Sequence, residues 1–156
     1  MIPSVKWIAK NFDRFNREYF GSRLEKPEFR CAPVCFAGGQ ECYATYDYNL
    51  DINFWGKVRR AITPGIITFS TKYSLPEAFC QGTLLHEMAH MYVYTVMLKF
   101  PKDPHGKEFQ SIAGRIASDG WDVLEESVTK PPKELINEEK IKEIVSEVLK
   151  KITENL

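Results

Sequence analysis

Several things are scarce in this chain of 156 residues, and each scarcity removes a class of function. Charge of one sign is the first. Lys plus Arg and Asp plus Glu each number 21, so the formal net charge is zero. A domain that grips a nucleic-acid backbone ordinarily carries a basic surplus, and the total shows none. The densest basic group, Lys57, Arg59 and Arg60, reads as a solvated loop. Long apolar runs are missing as well. The stretch from Met88 to Leu98 is nearly uncharged but too short for a bilayer, which takes about 20 residues. No basic segment followed by an apolar run opens the chain, so no secretory signal and a cytoplasmic location are expected. Cysteine is sparse. Cys31, Cys35, Cys42 and Cys80 do not make a disulfide framework in a chain this long. Cys31 and Cys35 lie close together but no second close pair follows, which argues against a four-Cys zinc ribbon and for buried free thiols. There is no internal repeat and no low-complexity tract.

The remainder is ordinary: 44% apolar and 13% aromatic residues suit one globular domain with its own core. Val5, Ile8, Ala9, Phe12, Phe15 and Tyr19 recur at steps of three and four, which predicts a helix over 4–20 stopped by Gly21. Residues 29–36 and 41–48 read as strands of a hairpin around Gly38-Gly39. Residues 49–64 read as irregular and 66–71 as a short β-branched strand. Ser74-Leu-Pro-Glu77 has the form of a capping box and predicts a helix from there to about Leu98. A loop over 101–106 and a second helix over about 106–118 follow. Beyond Pro131-Pro132, Ile141, Ile144, Val145, Val148, Leu149 and Ile152 mark an amphipathic helix. It is expected to dock on the body; the alternative is a helix that binds a partner or itself.

The scarcest residue carries the chemistry. The chain has three histidines, His86, His90 and His105, all within one short window. His86 and His90 bracket Glu87 in His-Glu-Met-Ala-His. Four residues apart on a helix, two imidazoles share a face and can reach one ion. Neutral imidazole suits zinc, and zinc makes its water acidic enough for a neighbouring carboxylate to take the proton as the water attacks a carbonyl. Hydrolysis of a peptide bond at a zinc ion is therefore the expected chemistry, with Glu87 as general base.

A catalytic zinc takes three protein ligands and keeps a position for water. His105, after the 101–106 loop and before Gly106, is the leading third ligand. Glu108, Glu125, Glu126 and Cys42 remain alternatives. Val93 and Val96 stand where a metzincin needs Gly and His, which excludes that class. Gln40-Glu41-Cys42 suggests a peptide deformylase, but Ala89 stands where those enzymes have Asp. Tyr43, Tyr46, Tyr92 and Tyr94 are potential donors to an oxyanion, with core packing the default for each.

Three segments together resemble the SprT-like family, which includes the Spartan proteases. They are Phe15-Asn-Arg-Glu-Tyr-Phe-Gly-Ser-Arg-Leu24 with Pro27 after it, Thr83-Leu-Leu-His-Glu-Met-Ala-His-Met-Tyr92, and His105-Gly-Lys-Glu-Phe109. The resemblance covers about residues 8–120. It implies an α+β zincin-like domain over 1–128, with a small sheet packed on the active-site helix and flanking helices. It further implies zinc held by His86, His90 and His105, Glu87 as base, and proteolysis, in some relatives of proteins crosslinked to DNA. Protein or peptide substrates and DNA are thus the implied partners. Family members often continue into a basic zinc ribbon; this chain continues into Pro131-Pro132 and a mixed-charge helix over 129–156. The reading from a different class is a zinc-stabilised, non-catalytic binding module.

Overall fold

The first helix forms where the apolar stripe placed it. The computed structural model describes residues 1–52, 58–123 and 138–155. Helix α1, Val5–Tyr19, starts at Ser4, whose side chain accepts from the Trp7 backbone N–H. It buries Ile8, Phe12 and Phe15. Strands β1 (Glu28–Ala32), β2 (Cys35–Ala37), β3 (Gln40–Cys42), β4 (Ala44–Ile52) and β5 (Val58–Ser70) follow, then helices α2 (Glu77–Thr95), α3 (Lys107–Ala117) and α4 (Glu138–Glu154). This is the expected α+β class.

The strands pair differently from the expected long hairpin. β1 runs parallel to β5, which pairs antiparallel with β4, giving the order β1-β5-β4. Only β2 and β3 form the hairpin around Gly38-Gly39. Both glycines have positive φ, +57° and +79°, as a tight two-residue turn requires. Pro33, with no backbone N–H to give a ladder, separates β1 from β2.

Residues read as irregular are partly strand. β4 extends to Ile52 and β5 begins at Val58, so the sheet runs through Pro64 and Gly65. The register jumps from Asp47↔Ile66 to Asn49↔Ile62, which places the Pro-Gly pair in a bulge. The bulge tolerates the missing proline N–H. Gly65 has φ +86°, and a Cβ there would stand 2.4 Å from the Asp47 carbonyl oxygen, so the breaker pair fits by virtue of the glycine. Arg59 and Arg60 lie on β5; Lys57 falls outside the described residues.

α2 is the centre of the domain. It packs against α1, α3, β4 and β5, and residues 82–89 are buried all round. Leu84, Leu85 and Met88 join Ile8, Phe12, Phe15, Ile67 and Phe69 in one core. The expected capping box does not form: α2 begins at Glu77 with Pro76 at its N-cap and no side-chain cap bond. Ser74-Leu75 is committed elsewhere, because the Leu75 N–H and C=O both bond to Met1. The helix ends at Thr95 rather than Leu98, and Leu98 has left-handed φ, +53°.

The four cysteines are free, as expected. α4 is helical as expected, but its stripe is not docked: Val145, Val148, Leu149 and Ile152 are each at least half exposed. The Pro131-Pro132 joint and the 128/129 boundary lie outside the described residues. No helix among the described residues is long and apolar enough to cross a membrane.

Candidate metal centre

Consecutive turns of α2 present His86 and His90 on one face, with ring centroids 4.8 Å apart. The chain then turns through 101–106 and returns as α3 beside α2. Asp103 organises that turn: its Oδ1 accepts from the His105 backbone N–H at 3.0 Å, and its carbonyl accepts from the Gly106 N–H at 3.1 Å. His105 is thereby brought over α2. Its Nε2 is 3.1 Å from Nε2 of His90 and 3.2 Å from Nε2 of His86, and the His86–His90 edge is 3.1 Å.

This triangle fits a metal ion. A tetrahedral ion with metal–nitrogen bonds of about 2.0–2.1 Å sets its ligand nitrogens about 3.3–3.4 Å apart. The observed spacing is close to that. Three imidazole nitrogens this close repel unless a cation or protons lie among them. His86 also has its tautomer set. Its Nδ1 is 2.8 Å from the Val123 carbonyl oxygen, which can only accept, so Nδ1 carries a proton and Nε2 keeps its lone pair inward. Burial pushes the His86 imidazole down to about 4, with the charge of His105 adding and the Val123 bond opposing. Burial, His86 and His105 push His90 down to about 2. Both are therefore neutral at neutral pH, the form that ligates metals. Three imidazoles suit zinc, copper, nickel or iron.

Glu87 follows His86 around the helix and is 5% exposed. It lines the same cavity of about 470 Å³ as the three histidines. Burial and the nearby Asp47 push its carboxyl up to about 8, while a backbone hydrogen bond from Tyr46 opposes them. Tyr46 lies on β4, so the strand at the edge of the three-stranded sheet borders the carboxyl.

The other expected residues divide. Cys42 lines the cavity, but burial pushes its thiol up to about 12, and it is not part of the metal-ligand cluster. Glu108 is in the first turn of α3 and outside the cluster. Glu125 and Glu126 lie outside the described residues. Tyr46 and Tyr94 face the cavity. Tyr43 is buried against Tyr73 and Phe79, and the Tyr92 hydroxyl accepts from Arg23, so neither lines it.

Three participants carry no sequence signal of their own. The Val123 carbonyl and the Tyr46 amide are backbone groups, which every residue possesses. Tyr48, stacked on Tyr94 at 4.4 Å, lies across a strand–helix contact that no spacing rule predicts.

Comparison with known proteins agrees with this geometry. Residues 8–130 match the model of the SprT-like family. The chain is also similar to the DNA-dependent metalloprotease dvc-1 of Caenorhabditis elegans, 28% identical over 109 residues. That alignment covers 70% of this chain and 27% of the relative, so the chain spans about a quarter of that protein's length. The family match extends from α1 through the histidines of α2, the 101–106 loop and α3, and the chain belongs to the SprT-like family.

Proposed function

We propose that this domain is a zinc-dependent metallopeptidase in which His86, His90 and His105 hold the ion and Glu87 is the general base. The observation that carries the reading is the convergence of three Nε2 atoms within 3.2 Å of one another in a cavity that a buried carboxyl shares. When bound, zinc acidifies a water and polarises a carbonyl. The chain's own part is proton transfer and positioning. Burial raises the Glu87 carboxyl to about 8, and it ionises beside a cation held by the histidines; the carboxylate then accepts the proton of the attacking water and delivers it to the departing amine. The Tyr46 amide favours the ionised form of that carboxyl. Ala44–Tyr48 of β4 line the same cavity. Among the described residues no strand pairs with the outer edge of β4, so an extended polypeptide has open backbone groups to meet. The similar nematode protein is a DNA-dependent metalloprotease, which supports a role for DNA here and DNA-associated proteins as substrates. The half-exposed apolar stripe of α4 supports a separate partner-binding helix over 129–156, following a catalytic domain over 1–128.

Glu87→Gln tests the mechanism. The variant is expected to retain zinc and lose cleavage of a denatured protein, with or without DNA. Cleavage equal to wild type overturns the role of Glu87. Zinc binding with no Glu87-dependent turnover under either condition favours the binding-module reading.

A further inference from the structure

Gly82 lies one helical turn before His86, on the same face of α2, and is buried. Residues 121–123, beyond α3, cross α2 at this point. A Cβ on Gly82 would stand 2.7 Å from the Asp122 carbonyl oxygen and 3.5 Å from its carbonyl carbon. Those are backbone atoms, which cannot swing aside as a side-chain tip can. The crossing segment is held on its other side. The Trp121 ring packs edge-on against Phe15 at 5.3 Å, and its Nε1 donates to the Tyr19 hydroxyl at 2.9 Å. Val123 is fully buried. The next carbonyl along is the one that takes the His86 Nδ1–H.

We propose that Gly82 is a positioning residue for the metal centre: its missing side chain lets residues 121–123 approach α2 closely enough for the Val123 carbonyl to orient the His86 ring. Glycine weakens a helix interior relative to alanine, so its presence there asks for a reason. Backbone conformation is not that reason, because Gly82 has no positive φ. Space is. Gly114, also inside a helix, has nothing within 4 Å of the same built atom and makes the matched control. An added methyl at residue 82 displaces the Asp122 peptide, and the Val123 oxygen moves with it. His86 then loses both its tautomer constraint and its ring orientation, the two things an outer hydrogen-bond partner gives a metal ligand.

The inference rests on reading His86, His90 and His105 as ligands. Its test uses the full chain with Gly82→Ala and Gly114→Ala beside wild type. Zinc affinity is measured by competition with a chromophoric chelator, cobalt loading by visible absorption, and the His86 Nδ1–H proton by NMR of the metal-free protein. Gly82→Ala is expected to bind zinc about 10-fold to 100-fold more weakly. It is also expected to shift the cobalt spectrum and lose the protected Nδ1–H signal, while Gly114→Ala matches wild type. Unchanged zinc affinity with the Nδ1–H signal intact overturns the proposal, even if the melting temperature falls, because that pattern marks a merely structural role. Failure of wild type to bind zinc defeats the ligand reading instead, and the metal-free Nδ1–H signal still decides the role of Gly82. Should Gly82→Ala not fold, Trp121→Phe loosens the hold on the same crossing by removing the bond to the Tyr19 hydroxyl, without adding a methyl. Weaker zinc binding is expected there too, and equal affinity overturns the proposal.

Discussion

The phenyl ring of Phe109 lies 4.5 Å from the imidazole of His90, with only 29° between their planes. The same ring is 4.9 Å from His86 and 5.0 Å from His105. One side chain from the first turns of α3 therefore touches all three imidazoles, nearly face-on at His90 and edge-on at His105. His105 and Phe109 are four residues apart, so the α3 start that delivers the third histidine also delivers the ring.

Phe109→Leu separates packing from orientation. Leucine keeps an apolar side chain in the core but offers no flat face to the His90 imidazole. Stability of the metal-free protein is expected to fall by roughly 1–2 kcal/mol in urea denaturation, because the smaller side chain leaves part of the ring's space unfilled. Zinc affinity is expected to fall by roughly tenfold, as when other groups that orient ligands are lost. An unchanged affinity would show that the ring only fills space.

Chelation should be visible as a loss of stability. A ligand that binds only the folded state at about a thousand times its Kd adds about 4 kcal/mol. For a domain of this size each kcal/mol moves Tm by about 2–4 °C. Removing the ion is thus expected to lower Tm by on the order of 10 °C, read by differential scanning calorimetry. His90→Ala should melt at one temperature with or without chelator. Equal chelator sensitivity in that variant would place the ion somewhere other than the histidine triangle.

The legible part of this protein was the part written in local spacing. The α1 stripe, the His86–His90 interval and the amphipathic α4 pattern follow from 3.6 residues per turn, and each appears. The approach of His105 was legible because so few histidines exist to choose from. What failed were the places where a distant partner overrode a local signal. Ser74 could have capped α2, but the neighbouring Leu75 backbone is bonded to Met1. Pro64-Gly65 reads as a break until β4 is laid beside it and the pair becomes a bulge. β1 pairs with β5, more than thirty residues later, rather than with its neighbour. The α4 stripe, expected to dock on the body, instead lies half exposed, since periodicity records amphipathicity and not what covers it.

Glu41 and Lys72 tie the β2–β3 hairpin to the segment after β5, and that tie has a defined pH window. One Glu41 oxygen accepts from the Lys72 ammonium and from the Tyr73 hydroxyl, each at 2.8 Å. The two charged side chains are 29% and 23% exposed, so water screens them only in part. Burial alone would raise the Glu41 carboxyl, but the bonds from Lys72 and Tyr73 outweigh it and hold the group below its ordinary 4.5. The bond to Glu41 holds Lys72 above its ordinary 10.5. A depressed carboxylate stabilises the fold fully above its unfolded value, and that contribution is lost as pH falls through the lower folded value. A raised ammonium stabilises fully below its unfolded value and loses that contribution as pH climbs through the higher one. The pair therefore acts in full between about 4.5 and 10.5. Glu41→Gln is expected to be less stable than wild type by on the order of 1 kcal/mol at about pH 7. The gap should narrow as pH falls below 4.5 and through the lower folded value, where wild-type Glu41 becomes protonated as well. Melting curves across that range check it, and a gap that stays constant with pH would trace the loss to packing of the hairpin rather than to the charge pair.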